Sequence, residues 1–477
     1  MRVFWTIVYA GDTRIAIPSP LVGVHCMNHV RIIVAVAVAV AIVCLCGASS
    51  LHAQHWPRFR GPNGSGVGQG QIPAPWAEKN IAWKIQLPGS GHGSPVVWGD
   101  RIFLQVAQLK GSDANVAQPK AQPNNAKGKR KKPRGAIGKP GEQMVLCINA
   151  RDGKTLWSVA WPFKSYKTHR NNSFASSTPA VDADRVYTLW THDGANVDLI
   201  ALDHNGKAQW RVKIGTFKGG HGHGMSPIVY KNMVIVGHDN DGDSFLLAFD
   251  VQTGKPLWKI ARKSKRTTYS TPCVFEHKNK AQLIFTNWTH GMTGIEPKTG
   301  TVLWDKDVFG HPHVERAIAS PIVFGDTVIA TCGFTTLDKH CVVLRPGEHS
   351  KGDAPEVWRT KREVPHIPSP IVVDGKLFLW SDRGIVSCFD PTTGKAIWAE
   401  RGGRGGFYSS PVSDGTRVFN ISDDGQVFAV DAAEKFNAVD VFNLNEQVRA
   451  TPAIAHGNMY VRTFGHLLCV TGNASAQ

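Results

Sequence analysis

Asp390-Pro391-Thr392-Thr393-Gly394-Lys395-Ala396-Ile397-Trp398 closes a unit that opens at Ser369-Pro370-Ile371-Val372, and that unit recurs along this chain of 477 residues. Aspartate bonds back onto the backbone of a turn, glycine supplies the positive φ, and the strand that follows carries the tryptophan. Upstream of the turn the sequence reads as more strands: Ser387-Cys388-Phe389, before it Gly375-Lys376-Leu377-Phe378, and first the Ser-Pro-apolar start. Branched and aromatic residues in short runs favour strands, and proline at a strand's first residue costs no ladder bond. Each unit is therefore a set of four antiparallel strands.

The Ser/Thr-Pro-apolar triplets centre on Pro95, Pro179, Pro227, Pro272, Pro321, Pro370, Pro411 and Pro452, and beyond the first gap they lie 41 to 49 residues apart. Self-similarity at that period means one supersecondary unit copied around a ring or along a stack. Trp157, Trp210, Trp258, Trp304, Trp358 and Trp398 occupy the fourth strand, with Phe442 expected in the seventh place. The eighth copy runs through Asn458-Met459-Tyr460 and Leu467-Leu468-Cys469-Val470 and lacks a fourth strand. Asn80-Ile81-Ala82-Trp83-Lys84-Ile85, ahead of the first triplet, supplies it. An open solenoid has no reason to split a repeat across its termini, whereas a ring closed in this way hides its sheet edges. The expectation is an all-β fold: an eight-bladed β-propeller, its ring closed by an N-terminal strand completing the C-terminal blade.

Asp-x-x-Thr-Gly-Lys-x-x-Trp, matched at Asp250 to Trp258 and Asp390 to Trp398, resembles the PQQ-like propeller repeat of quinoprotein alcohol dehydrogenases and BamB-like scaffold proteins. Asp152 to Trp157, Asp203 to Trp210 and Glu296 to Trp304 match with small departures, and the resemblance covers nearly all of 80–470. Trp56-Pro57-Arg58-Phe59-Arg60-Gly61-Pro62-Asn63 is similar to the lead-in of a secreted bacterial subset of this family. The resemblance implies fold strongly and function weakly, because one fold hosts many functions. In its dehydrogenase branch it implies an adjacent Cys-Cys pair, calcium ligands and a catalytic aspartate. No two cysteines are adjacent here.

Outside the ring, 1–53 reads as a signal peptide with an extension, translation starting at Met27 and Ile32 to Cys46 forming the apolar run. That run is short for a membrane span, although an uncleaved anchor stays open. Residues 54–79 form an arm that packs on the propeller, and 471–477 a tail. The net charge of +17 overstates the ring. The stretch 108–141 carries +8 and the leader +2, leaving about +7 on the rest. The 108–141 insertion lacks the apolar residues to fold alone, reads as a disordered loop in the first blade, and its 127–134 core can touch anionic surfaces. Cys147, Cys388 and Cys469 sit where other copies carry alanine and read as buried thiols; Cys332 and Cys341 are the one pair placed to bridge.

In a propeller the segment before each innermost strand rims one mouth of the central channel. Those segments supply His92, Asn171, His221, His223, Tyr269, His311, His313, Glu315, Arg316, His366, Tyr408 and Arg449. Histidines can ligate metal or move protons near neutral pH, with His221, His223 and His366 the metal candidates, and Arg316 and Arg449 can clamp a carboxylate. A wet polar rim is the competing reading. Asp239-Asn240-Asp241-Gly242-Asp243 lacks the distal bidentate glutamate of a calcium loop and reads as a hairpin turn. The function expected is an exported, periplasmic or secreted monomer that binds a protein, peptide or glycan partner, without nucleic acid and without a cofactor. The alternative is a metal- or PQQ-and-calcium-dependent oxidoreductase using the histidine-rich mouth.

Overall fold

The computed structural model describes residues 55–111, 137–264, 266–310, 316–334, 337–347 and 354–472. They form eight antiparallel sheets, one per repeat. Blade 1 consists of Val96–Trp98, Arg101–Leu109, Pro140–Asn149 and Thr155–Lys164, blade 3 of Ile228–Tyr230, Met233–His238, Ser244–Asp250 and Pro256–Arg262, and the other blades follow the same order. Second and third strands are almost wholly buried, while fourth strands alternate partly buried and exposed residues. Among the described residues the helices are three-residue 3-10 turns, none long and apolar enough to cross a membrane. The leader 1–53, most of the basic insertion and its 127–134 core, and the tail from 473 lie outside the described residues.

The Ser/Thr-Pro triplet has a direct physical use. The backbone N–H of Ser94 donates to Thr178 Oγ1 (2.9 Å), and that of Thr178 to Ser226 Oγ (3.0 Å). Further round, Thr271 donates to Ser320, Ser320 to Ser369, Ser369 to Ser410 and Ser410 to Thr451. Thr451 then donates to Ser94 Oγ (3.0 Å) and joins the last blade to the first. Each of these seven accepting hydroxyls satisfies the buried N–H of the blade before it, and the proline that follows has no N–H to leave unpaired.

The tryptophans pin blades together at the opposite end. Trp157 Nε1 donates to His204 O (2.8 Å), Trp210 to Val251 O (3.0 Å), Trp258 to Pro297 O (2.8 Å), Trp358 to Pro391 O (2.8 Å) and Trp398 to Ala433 O (3.1 Å), always in the next blade. Trp304 departs from this by bonding Gln282 in its own blade. The glycine of the Thr-Gly-Lys turn receives the indole: Gly254 has φ 68°, and a Cβ there would lie 2.7 Å from Trp210. Phe442 does not take the seventh tryptophan's place. Trp258 pairs with Ala248 on its third strand, and the matching Ala429 pairs with Val439. Phe442 instead meets Trp76 of the N-terminal arm, ring centres 5.8 Å apart.

Ile81–Gln86 pairs antiparallel with His466–Thr471, Trp83 opposite Cys469, so the N-terminal strand does complete blade 8. Trp83 Nε1 reaches Ala150 O in blade 1 (3.1 Å). The arm ahead of it runs inside the ring. His55–Trp56 pairs with Val97 and Trp98 on the inner edge of blade 1. Pro57 O accepts from Val181 N of blade 2, Asn63 exchanges two bonds with Val274 of blade 4, and Gly66 and Gly68 bond Ser413 of blade 7. Arg58 donates to Pro272 O, and Arg60 to Pro370 O at 2.8 Å. Both guanidinium groups are buried, and burial lowers them to about 10 and about 9, which leaves them charged at neutral pH.

The cysteine expectation is corrected in one respect. All six described cysteines are free and buried. Cys332 pairs with His340 and Cys341 with Thr331, so the two thiols lie on opposite faces of blade 5 and enter different apolar clusters. Side chains on opposite faces of a sheet cannot be bridged.

Candidate functional site

An antiparallel four-stranded blade brings the segment before its first strand and the hairpin between its second and third strands to the same end. The mouth is therefore built from two sets of loops, and carboxylates come from the second set. Asp423, in the hairpin of blade 7, accepts Arg449 Nε at 2.7 Å. Asp382, in blade 6, accepts the backbone N–H groups of His366 and Ile367 and Lys339 Nζ at 3.0 Å. Asp241 accepts the Thr267 N–H at 3.0 Å. Reading the lead-in segments alone left these acids out; the period of the strands was the signal that would have placed them. The Asp239–Asp243 loop is a self-bonded hairpin, with Gly242 N donating to Asn240 Oδ1 and Asn240 Nδ2 to Asp243 O.

The lead-in of blade 2 crosses the mouth. His169 N donates to His221 O of blade 3, and the His169 and His221 rings stack with centres 4.4 Å apart. Arg449 Nη1 of blade 8 donates to Arg170 O at 3.2 Å, and Asn171 Nδ2 donates to Tyr408 Oη of blade 7 at 3.2 Å. Residues 168–172 thus touch blades 3, 7 and 8 and strap the channel. The Arg449 guanidinium lies 4.7 Å from the Tyr408 ring centre, a cation–π contact. Arg449 is held by Asp423 with both side chains largely buried, which commits it to an internal ion pair.

The strap surroundings are cationic. Burial first, then Arg316 and His169, push His221 down to about 4. Burial followed by Arg170, Arg316 and Arg449 lowers His169 as well. Burial raises the Tyr269 phenol, which donates to Gly222 O at 2.8 Å. Of the expected residues, Asn171, His221, Tyr269, Arg316, Tyr408 and Arg449 are thus gathered around the strap. His223 is buried, with Nδ1 3.3 Å from Ser177 Oγ and its ring edge on Phe217. His366 is buried with Phe334 and Asp382. His92 lies beside Phe464 in blade 8. His311, His313 and Glu315 fall outside the described residues. Among the described residues no three His, Cys, Asp or Glu side chains stand together as a metal site.

The buried histidines make stability pH-dependent with a fixed sign. Burial, then His238, lowers His223 to about 3, against ~6.5 in an unfolded chain. Between those values the unfolded state binds the extra proton, so stability rises with pH across that window and falls on acidification. Urea midpoints are expected to drop from pH 7 to pH 4, and to drop less in His223→Gln. Parallel slopes in the two proteins would remove His223 as a cause.

The rim arginines suit carboxylates, but the aspartates that calcium would need are held by Arg449, Thr267 and the His366 segment, and the strap crosses the mouth. A quinone with calcium does not fit this donor set.

Fold and mouth define a PQQ-like eight-bladed propeller whose channel is threaded by its own N-terminal arm and strapped at one mouth. A family model of these repeats, described as outer membrane protein assembly factor BamB, matches residues 141–400, 348–437 and 382–474. The chain belongs to that family. An outer membrane protein assembly factor BamB of Alkalilimnicola ehrlichii is 24% identical over 219 residues, 44% of this chain and 51% of the relative. The match thus spans about half of that relative. BamB from Moraxella catarrhalis superposes with a TM-score of 0.53 at 12% identity, covering 83% of this chain and 98% of that one. The quinohemoprotein alcohol dehydrogenase from Comamonas testosteroni gives 0.56 at 14% identity, covering 90% and 82%. Likeness at that identity establishes the fold alone.

Proposed function

We propose that this chain is an exported scaffold that binds a protein partner on the outer rim of its propeller. One observation carries the reading. Of the five most exposed large apolar side chains among the described residues, Leu156, Leu257, Val302 and Ile397 all sit at the start of fourth strands, one or two residues before the tryptophan. A fourth strand is the outermost of its sheet, with one backbone edge unpaired. Apolar side chains beside an open edge are what an added strand of a partner uses: main-chain bonds for affinity, pockets for specificity. The family's assembly-factor description and the leader expected in 1–53 agree with a periplasmic scaffold. A peptide offers the same backbone as a protein strand; a glycan offers no such edge and is the weaker fit.

The test uses the full chain in its native host, with a photo-crosslinking residue at 259 or 400, exposed positions on the same fourth strands as Leu257 and Ile397. A discrete protein adduct is expected, lost in the double variant Leu257→Glu/Ile397→Glu and retained in His221→Ala. Because both rim positions are exposed, these charges should shift stability by no more than ~0.5 kcal/mol. An adduct unaffected by the rim charges would sink the rim reading. A saturable thermal shift with PQQ plus calcium, worth ~2.7 kcal/mol at a hundred times the dissociation constant, would replace it with a cofactor function.

A further inference from the structure

The fourth strands of blades 2 and 3, Ala208–Thr216 and Pro256–Arg262, contain no acid. Those of blades 4, 5 and 6 carry Asp305, Glu356 and Glu400. Lys207, Lys213, Lys255, Lys259 and Lys263 lie on or beside the first two strands and are all exposed. None of these lysines forms an ion pair among the described residues. Arg211 is tied to Asp198, while Asp203 and Asp250 accept N–H groups of their own turns. The two blades are neighbours, joined by the Trp210 bond to Val251 O, so the lysines make one basic sector of the outer rim.

Lysine on an outer strand commonly guards against edge-to-edge pairing. Its effect depends on the incoming strand: like charges directly opposite repel, and opposite charges attract. The row therefore rejects a second copy of the same edge and favours an acidic one. Blade 3 offers the better ladder. Its pairing with the third strand is regular from Trp258 to Arg262, whereas blade 2 breaks register twice. A regular outer strand keeps its outward N–H and C=O groups in line for one more strand. Beyond Trp258 the exposure alternates: Lys259, Ala261 and Lys263 stand out, while Ile260 and Arg262 lie further in. Lys259 Nζ sits 3.9 Å from the Phe245 ring centre, which holds its charge over the sheet. Leu257, 45% exposed, adds apolar surface where the edge begins.

We propose that the edge of blade 3 takes an extended acidic segment of a partner protein as an added strand. Its carboxylates lie on the face of Lys259 and Lys263, its apolar side chains on the face of Trp258 and Ile260. The site rests on the outer-rim reading above and deepens it, naming one blade and the chemistry of the partner.

The probe is an eight-residue peptide of alternating valine and glutamate, labelled for fluorescence anisotropy and titrated with the full chain. Saturable binding is expected, weakening as salt is raised, and the valine–lysine counterpart should not bind. Lys259→Gln/Lys263→Gln should weaken binding by about 3- to 30-fold, the range for two cross-strand charge pairs. Lys395→Gln, at an exposed lysine of blade 6, should leave it unchanged. These positions are exposed, so the variants should fold. A valine–glutamate peptide with every amide N-methylated keeps the charges and loses the ladder donors. It should bind far less well, and only the unmodified peptide should slow amide hydrogen exchange in 257–263. No saturable binding, equal binding of the N-methylated peptide, or wild-type binding by the double lysine variant would each overturn the proposal. So would tighter binding of phosphatidylglycerol vesicles through the same lysines, which would make the sector a membrane contact. In the native host, a protein adduct from the blade 6 position without one from blade 3 would overturn this site and leave the rim reading standing. No protein adduct from either position would remove both.

Discussion

Deleting residues 55–86 should leave a chain that melts far below the intact protein and over a broader transition. Blade 8 would lose its fourth strand, the Trp83 bond to Ala150 in blade 1, and the packing of Ile81 and Ile85 on the shared core. The inner edge of blade 1 and the innermost strands of blades 2, 4 and 7 would lose their bonds to the arm. Removing one large buried aromatic costs about 3–5 kcal/mol, a substantial part of the ~5–15 kcal/mol that holds a domain folded. The deletion removes Trp56, Trp76 and Trp83 together. A shorter deletion, 55–76, keeps the closing strand and separates the arm's share from the strand's. Adding a peptide of residues 55–86 should restore part of the lost melting temperature. A truncated chain that melts like the full one would remove the N-terminal strand from the eighth blade.

How far the sequence reaches depends on whether a feature repeats. The triplet, the turn and the tryptophan recur at a fixed period, and the period alone implies strands, blades and closure. Where a copy departs from the pattern, spacing misleads: Phe442 stands near the expected place, yet register puts Val439 opposite Ala429 and sends Phe442 to the arm. The cysteines fail for a related reason. Cys332 and Cys341 are close in sequence, but the pleat turns them to opposite faces. At the mouth, lead-in segments are legible because each follows a fixed distance before a proline. What they meet is not: Asp423 and Asp382 arrive from hairpins 26 and 16 residues away, and the strap from blade 2 reaches blades 3, 7 and 8. Arg58 and Arg60 read only as part of the lead-in motif, and nothing in a linear pattern says that they enter the ring.

The turn glycines should separate into two classes, and the difference measures how tightly neighbouring blades are coupled. Gly300 has φ 74°, and a Cβ there would lie 2.8 Å from both Cδ2 and Cγ of Trp258. Gly375 has φ 68° and nothing within 4 Å of the same position. Gly375→Ala should therefore cost only the left-handed backbone, about 1–2 kcal/mol. Gly300→Ala adds overpacking against an indole fixed by its bond to Pro297, a further ~1–3 kcal/mol. Trp258→Ala alone should cost about 3–5 kcal/mol, since it empties the socket and leaves Pro297 O without its donor. In the double variant Gly300→Ala/Trp258→Ala the overlap no longer exists, so its cost should fall short of the sum of the singles by ~1 kcal/mol or more. Gly375→Ala combined with Trp258→Ala shares no contact and should add. Urea denaturation of the five variants reads all of these terms. If Gly300→Ala and Gly375→Ala destabilise equally, or if both pairs add, the glycine serves the turn alone and the tryptophan is not what joins one blade to the next. If they part as expected, the aspartate–glycine–tryptophan motif acts in two places at once: it turns its own blade and receives the indole of the one before. A chain built that way keeps the motif because each copy is half of two interfaces.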